Sequence, residues 1–198
     1  MAASNPYSEV TVVPRIAVQF PLPLPTPPGF DVARRSTWPA VTGRLEYVGG
    51  RLEYMPPCGE VQQRTVVDIV TELNLWRRSR SGFVVGSNEA GMLLGGEVRA
   101  ADVAVWHESA PTSGYARNPP VLAVEVCGAD EDVAALLEKS RWYLEHGVLL
   151  TWIVDPLARV VHVVSSDGVL VVGATETLPE HSALPGLSIP VANLFRQL

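Results

Sequence analysis

Large apolar residues alternate with polar ones on both sides of a glycine pair between residues 44 and 55. Leu45 and Tyr47 precede Gly49-Gly50, and Leu52 and Tyr54 follow it. A period of two around a tight glycine turn predicts a β-hairpin, ended by Pro56-Pro57. The period then changes. Over residues 60–78, Val66, Ile69, Val70, Leu73 and Trp76 recur at spacings of three and four, which predicts an amphipathic helix. Arg77, Arg78 and Arg80 gather at its C-terminal end, where cations suit the helix dipole. Apolar runs at 83–85, 92–94, 98–106 and 121–126 predict strands, with glycines between the first two and a proline- and glycine-bearing loop over 107–120. A second helix is expected over 130–146, stopped by Gly147. Strands at 149–154 and 160–164 flank the turn Asp155-Pro156, and a short strand and loops fill the tail after Gly168. This order predicts an α/β or α+β sheet with helices packed against it.

Prolines 21, 23, 25, 27 and 28 exclude helix and central strand from the first thirty residues. Residues 1–30 are expected to form an extended or disordered arm, with Val10 to Val18 able to add an edge strand or meet a second subunit. Residues 31–198 are expected to form one domain. With 47% hydrophobic residues, the chain has enough apolar material for a substantial core. Two cysteines are too few for a disulfide framework or a four-cysteine zinc site, which fits a reducing, cytoplasmic setting. No apolar run has the roughly 20 residues needed to span a bilayer, and the N-terminus lacks the build of a signal peptide. A net charge of −6 argues against a broad non-specific nucleic-acid coat and leaves room for a local basic patch.

Against this pattern two acids stand out. Asp102 lies in Ala-Asp-Val-Ala-Val-Trp and Glu125 in Val-Leu-Ala-Val-Glu-Val-Cys, both runs that read as buried strands. An ionised carboxylate there is costly unless a cation meets it. Alternation puts Asp102 on one face with Ala100 and Ala104, and Glu125 on one face with Val121, Ala123 and Cys127. The nearest same-face neighbours are small, which leaves space beside each acid. Adjacent strands lie about 4.8 Å apart, so one hard cation can bridge the two carboxylates; oxygen ligands favour magnesium or manganese. The competing reading has Asp102 capping a strand end and Glu125 paired with an arginine. Lys139 lies at the margin of the second helix's apolar stripe (Val133, Leu136, Leu137, Ser140, Leu144), beside Leu136 and Tyr143, from where its ammonium can reach the sheet.

The histidines 107, 146, 162 and 181 show no metal-ligand spacing, and no serine sits in a nucleophile elbow. Cys127 is expected to be a small buried residue, and Trp76, Trp142 and Trp152 to be core.

Asp102, Glu125 in Val-Glu-Val, Lys139 in Glu-Lys-Ser-Arg-Trp-Tyr, Gly147-Val148 and Trp152-Ile-Val-Asp-Pro156 together resemble the Uma-type restriction endonuclease family of the PD-(D/E)xK nuclease-like superfamily. The stretch from Leu45-Glu-Tyr-Val-Gly-Gly to Met55-Pro-Pro57 is similar to that family's hairpin entry, so the resemblance spans about residues 44–164. It implies a restriction endonuclease-like mixed β-sheet flanked by helices. It further implies a divalent-metal-dependent hydrolysis of phosphodiester bonds, with Asp102 and Glu125 as ligands for Mg2+ or Mn2+ and Lys139 orienting water or stabilising charge on phosphate. Glu46 corresponds to the hairpin glutamate, a further ligand or a supporting acid. DNA is expected over RNA as the nucleic acid, and a homodimer is expected by analogy. The sequence departs from the pattern at three places. Cys127 holds the usual lysine position two residues after the strand acid, Ala101 precedes the first acid in place of proline, and Gln62 or Gln63 stands where family members carry histidine. The alternative is therefore an inactive nuclease fold that binds nucleic acid or a protein partner.

Overall fold

In the computed structural model, which describes residues 20–109, 114–128 and 131–198, the elements follow in the order β1 (Leu22–Leu24), β2 (Arg44–Val48), β3 (Arg51–Met55), α1 (Glu60–Arg77), β4 (Phe83–Leu94), β5 (Glu97–His107), β6 (Leu122–Val126), α2 (Val133–Glu145), β7 (Leu150–Asp155), β8 (Val160–Ser165) and β9 (Gly168–Gly173). All nine described strands join one mixed sheet with the path β1-β3-β2-β5-β6-β7-β8-β9, and β4 lies along β5 off that path. The only parallel pairing on that path, β6 with β7, is the one bridged by α2, as a crossover helix requires. Among the described residues no helix is long and apolar enough to cross a membrane.

The two helices cover opposite faces. Ile69, Leu73 and Trp76 of α1 pack with Val103, Val105, Leu122, Val124 and Val126, whereas Tyr143 of α2 packs with Ala104 and Ala123 from the other face of the same strands. Alternation along β5 and β6 thus puts bulky residues under α1 and alanines under α2. The small residues let α2 approach closely. Its buried positions are Leu136, Ser140 and Tyr143, so the stripe is rotated toward Lys139 relative to the expected one, while Val133, Leu137 and Leu144 are only partly buried. Asp132 caps the helix by accepting from Ala134 N–H at 2.9 Å. After β9 the chain has no long element, yet Leu178, Leu184, Leu187, Ile189, Val191, Leu194 and Phe195 are all buried in the α1-side core.

Two strands expected at 83–85 and 92–94 are one strand, β4, interrupted by a bulge. Ser87 pairs with Val103 and Ala90 with Ala101, so Asn88 and Glu89 stand against the single residue Asp102. Both have positive φ, 61° and 60°. The one extra residue breaks the alternation in the sequence, which is why the run reads as two. In the arm, Leu22–Leu24 pairs with β3 as an edge strand beside Pro21 and Pro25, and Val10 to Val18 lie outside the described residues.

The two edges of β5 are paired differently. Because β4 runs along one edge of β5, the other edge is shared: β2 meets it at Val98 and β6 at Val103 to Val105. Between them, residues 99–102 have no strand on that side.

Gly95 and Gly96 make the β4–β5 turn, with φ of +57° and +84°. A Cβ on Gly95 would also run into the His146 ring. Gly95→Ala is expected to lower the unfolding free energy by more than about 1 kcal/mol, through the left-handed backbone and the clash together; Gly96→Ala, with open space around it, should cost less. Urea unfolding of the two variants checks the difference.

Candidate active site

The gap along β5 is filled by side chains. Glu46, on β2, accepts from Ala100 N–H at 3.2 Å, and Lys139, on α2, donates to Ala100 O at 3.0 Å. Asp102 Oδ2 accepts from Val126 N–H at 2.8 Å. Gln62, in the first turn of α1, donates Nε2 to Val126 O at 3.0 Å and to Asp102 Oδ2 at 3.3 Å. Four buried backbone groups that lack a strand partner are thereby satisfied by four polar side chains.

Five residues singled out from the sequence thus meet in one place. The β5–β6 register pairs Val103 with Val124, and one step further it sets Asp102 opposite Glu125. Glu46 is 3% exposed, Asp102 9% and Glu125 2%. Lys139 Nζ lies 3.0 Å from both Glu46 Oε1 and Glu125 Oε1. Of the two glutamines at the start of α1, Gln62 enters the site; Gln63 turns to Cys58 O at the surface.

Three participants were not foreseen. Arg44 places Nε 3.6 Å from Glu46 Oε1 and Nη1 3.7 Å from Asp102 Oδ1. Tyr143, one turn beyond Lys139, donates its hydroxyl to Glu125 Oε1 at 2.8 Å. Glu89, on the bulge, is near enough for its carboxyl to feel Arg44, Asp102, Glu46 and Lys139. A signal for Arg44 was present: it stands two residues before Glu46 on a strand, hence on the same face. For Glu89 there was none, since a bulge decides where it points. The competing reading of the acids is partly realised, because Glu125 is ion-paired, with a lysine rather than an arginine.

Charge in the site is unevenly compensated. Burial alone would raise the Glu46 carboxyl, but Lys139 and Arg44 hold it below its ordinary value. For Glu125 burial wins: the carboxyl is pushed up to about 7, against the pull of Lys139 and with Asp102 adding to the rise. Burial opposes the charge of Lys139, yet Glu125 and Glu46 raise its pKa above the usual value. Arg44 is raised likewise, the carboxylates Glu46, Glu125 and Asp102 outweighing its burial. Burial pushes the Cys127 thiol up to about 12, so it is no thiolate near neutrality. Among the described residues no group of three His, Cys, Asp or Glu side chains is disposed to hold a metal ion.

A mixed sheet with one helix on each face, and buried carboxylates and a lysine where the central strands part, is the restriction endonuclease-like fold. A solved structure from Anabaena variabilis, described as "a putative nuclease belonging to DUF820", superposes with a TM-score of 0.70, covering 81% of this chain and 94% of that one at 18% identity. The model of the Uma2 family, described as "Putative restriction endonuclease", matches residues 36–192. The chain belongs to that family. No curated protein matches it.

The raised Glu125 carboxyl makes stability depend on pH. An unfolded glutamate titrates near 4.5 and the folded one near 7, so the folded state holds the proton more tightly. The group costs nothing below pH 4.5, its cost grows as pH rises through that interval, and it is complete above pH 7. Measured by urea unfolding in EDTA, Glu125→Gln should therefore gain on the wild type between pH 5 and 8, by on the order of 2–3 kcal/mol. Parallel curves for the two proteins would show that Glu125 does not titrate in this window.

Proposed function

We propose that this protein is a divalent-metal-dependent nuclease that hydrolyses phosphodiester bonds, with DNA as the preferred nucleic acid. The observation that carries the reading is the register of β5 and β6, which sets Asp102 opposite Glu125 with Lys139 at 3.0 Å from the latter, in a chain of the Uma2 family. Asp102 and Glu125 would hold Mg2+ or Mn2+, with Glu46 and Gln62 supporting them. The donors suit such an ion in type, being hard oxygens. They suit it in charge as well, because Glu46, Asp102 and Glu125 outnumber the cations Arg44 and Lys139, and Glu125 is the acid left poorly compensated. When bound, the ion supplies Lewis-acid chemistry at the phosphate.

The chain's own groups do the rest. Lys139 places a fixed positive charge beside Glu125, where it orients a water or stabilises charge developing on phosphate. Tyr143 donates to the same Glu125 Oε1, so the carboxylate does not rotate freely. Low cysteine content agrees with work in the reducing cytoplasm, and two copies acting together would cut both strands of a duplex.

One observation favours a second reading, an inactive nuclease fold that binds nucleic acid or a protein. The acids already face two cations, Arg44 and Lys139, and Gln62 stands in the place of the family's histidine.

Cleavage of supercoiled plasmid and of labelled oligonucleotides separates the two. The nuclease is expected to cut with Mg2+ or Mn2+ and to stop on addition of EDTA. Asp102→Asn, which keeps an acceptor for Val126 N–H while removing the charge, should reduce cutting to background without unfolding the protein. No cutting under any metal, with no calorimetric binding of Mn2+ that Glu125→Ala abolishes, would leave the inactive module as the correct reading.

A further inference from the structure

The two buried cations of the site spend their donors differently. Lys139 has three N–H groups and three oxygens at 3.0 Å, namely Glu46 Oε1, Ala100 O and Glu125 Oε1. It donates hydrogen bonds to the first two and is ion-paired with the third. Arg44 has five donors in a planar fork. Its approaches to Glu46 and Asp102, at 3.6 and 3.7 Å, are too long for hydrogen bonds. Nη2 rests 2.9 Å from Met55 Sδ, a weak acceptor, and Nε is buried with no hydrogen-bond partner. The side chain is 11% exposed.

This is not how a guanidinium sits when its purpose is to neutralise a carboxylate. Dedicated arginine–carboxylate pairs close to about 2.7–2.9 Å and are commonly bidentate. Arg44 is attracted by Glu46, Asp102 and Glu125 at once and hydrogen-bonded to none of them. None of its donors is hydrogen-bonded to an oxygen among the described residues, and Nη1 lies beside Asp102 along the stretch of β5 that has no strand on one side. A nucleic-acid substrate, meanwhile, must bring an anionic phosphate next to three carboxylates in a chain of net charge −6. It needs a cation with donors to spare, and of the two Arg44 has more of them, since Lys139 already faces three oxygens at 3.0 Å.

We propose that Arg44 is the residue that grips the substrate phosphate, its guanidinium fork donating to the non-bridging oxygens of a nucleic-acid phosphodiester. The proposal rests on the nuclease-fold reading above and assigns the direct anion contact to Arg44 rather than Lys139. A forked donor set matches two phosphate oxygens as a lysine ammonium cannot, so Arg44→Lys is a change of geometry at constant charge. Arg44→Gln removes the charge and keeps a polar side chain.

The test is fluorescence anisotropy of a fluorescein-labelled DNA duplex, titrated with wild type and both variants in Ca2+ buffer over a series of salt concentrations. Both variants are expected to bind at least tenfold more weakly. In Arg44→Gln the slope of log affinity against log salt should fall by about one, the mark of one lost phosphate contact; in Arg44→Lys it should be retained. Where Arg44→Gln fails to fold, Arg44→Lys, which leaves the acids their counter-charge, carries the comparison. Wild-type affinity in Arg44→Lys, or an unchanged salt slope in a folded Arg44→Gln, overturns the proposal and leaves the nuclease reading standing. If the wild type binds no oligonucleotide at all, the nuclease reading and this proposal fall together.

Discussion

Backbone groups inside a protein must find partners, and here the sheet leaves a stretch of β5 without any. Between Val98, where β2 touches it, and Val103, where β6 begins, one edge of the strand is open. Water cannot be the general answer, because Ala100 and Asp102 are buried. Glu46, Lys139, Asp102 and Gln62 complete the ladder in place of a strand. Once those groups are committed to this task, their mutual distances are set by backbone geometry rather than by flexible side chains. The convergence of Glu46, Asp102 and Lys139 follows from the same commitment, and Glu125 and Arg44 join them through contacts with these side chains. Burial of charge at this level is tolerable only as a network, since any acid taken alone would be driven toward neutrality.

That dual use explains the shape of the surroundings. Alanines at 104 and 123 let α2 come close enough for Lys139 and Tyr143 to reach the acids, while the valines on the reverse face fill the space under α1. The bulge in β4 belongs to the same region. Two consecutive residues in the left-handed conformation are costly away from glycine, and they stand against Asp102 itself. They bring Glu89 within electrostatic reach of the cluster.

The sequence exposed the acids because charge on an apolar strand contradicts its surroundings, and it exposed their partnership because both had small same-face neighbours. Hairpin, helices and the later strands were legible from period alone. β4 was not, since a bulge removes the period that identifies a strand. Lys139 was legible only through the family resemblance: its spacing on α2 puts it at the edge of a stripe, and nothing local distinguishes it from a solvated lysine. Arg44 was hidden by habit rather than by physics, for an arginine at a hairpin's first position ordinarily faces water. The buried C-terminal stretch from Leu178 to Phe195 carries apolar residues at no fixed period, because it joins the α1-side core as turns and a short 3-10 segment rather than as a long helix or strand.

Asp102 Oδ2 is the acceptor for Val126 N–H. A protein of this architecture that had ceased to cut anything would still be obliged to keep an acceptor at that position, or leave a buried amide without one at a cost of about 1–3 kcal/mol. Persistence of the acid among descendants is then evidence of folding before it is evidence of chemistry. Asparagine in its place, which keeps that acceptor and ligates poorly, would be the informative mark of a lineage that has given up the reaction.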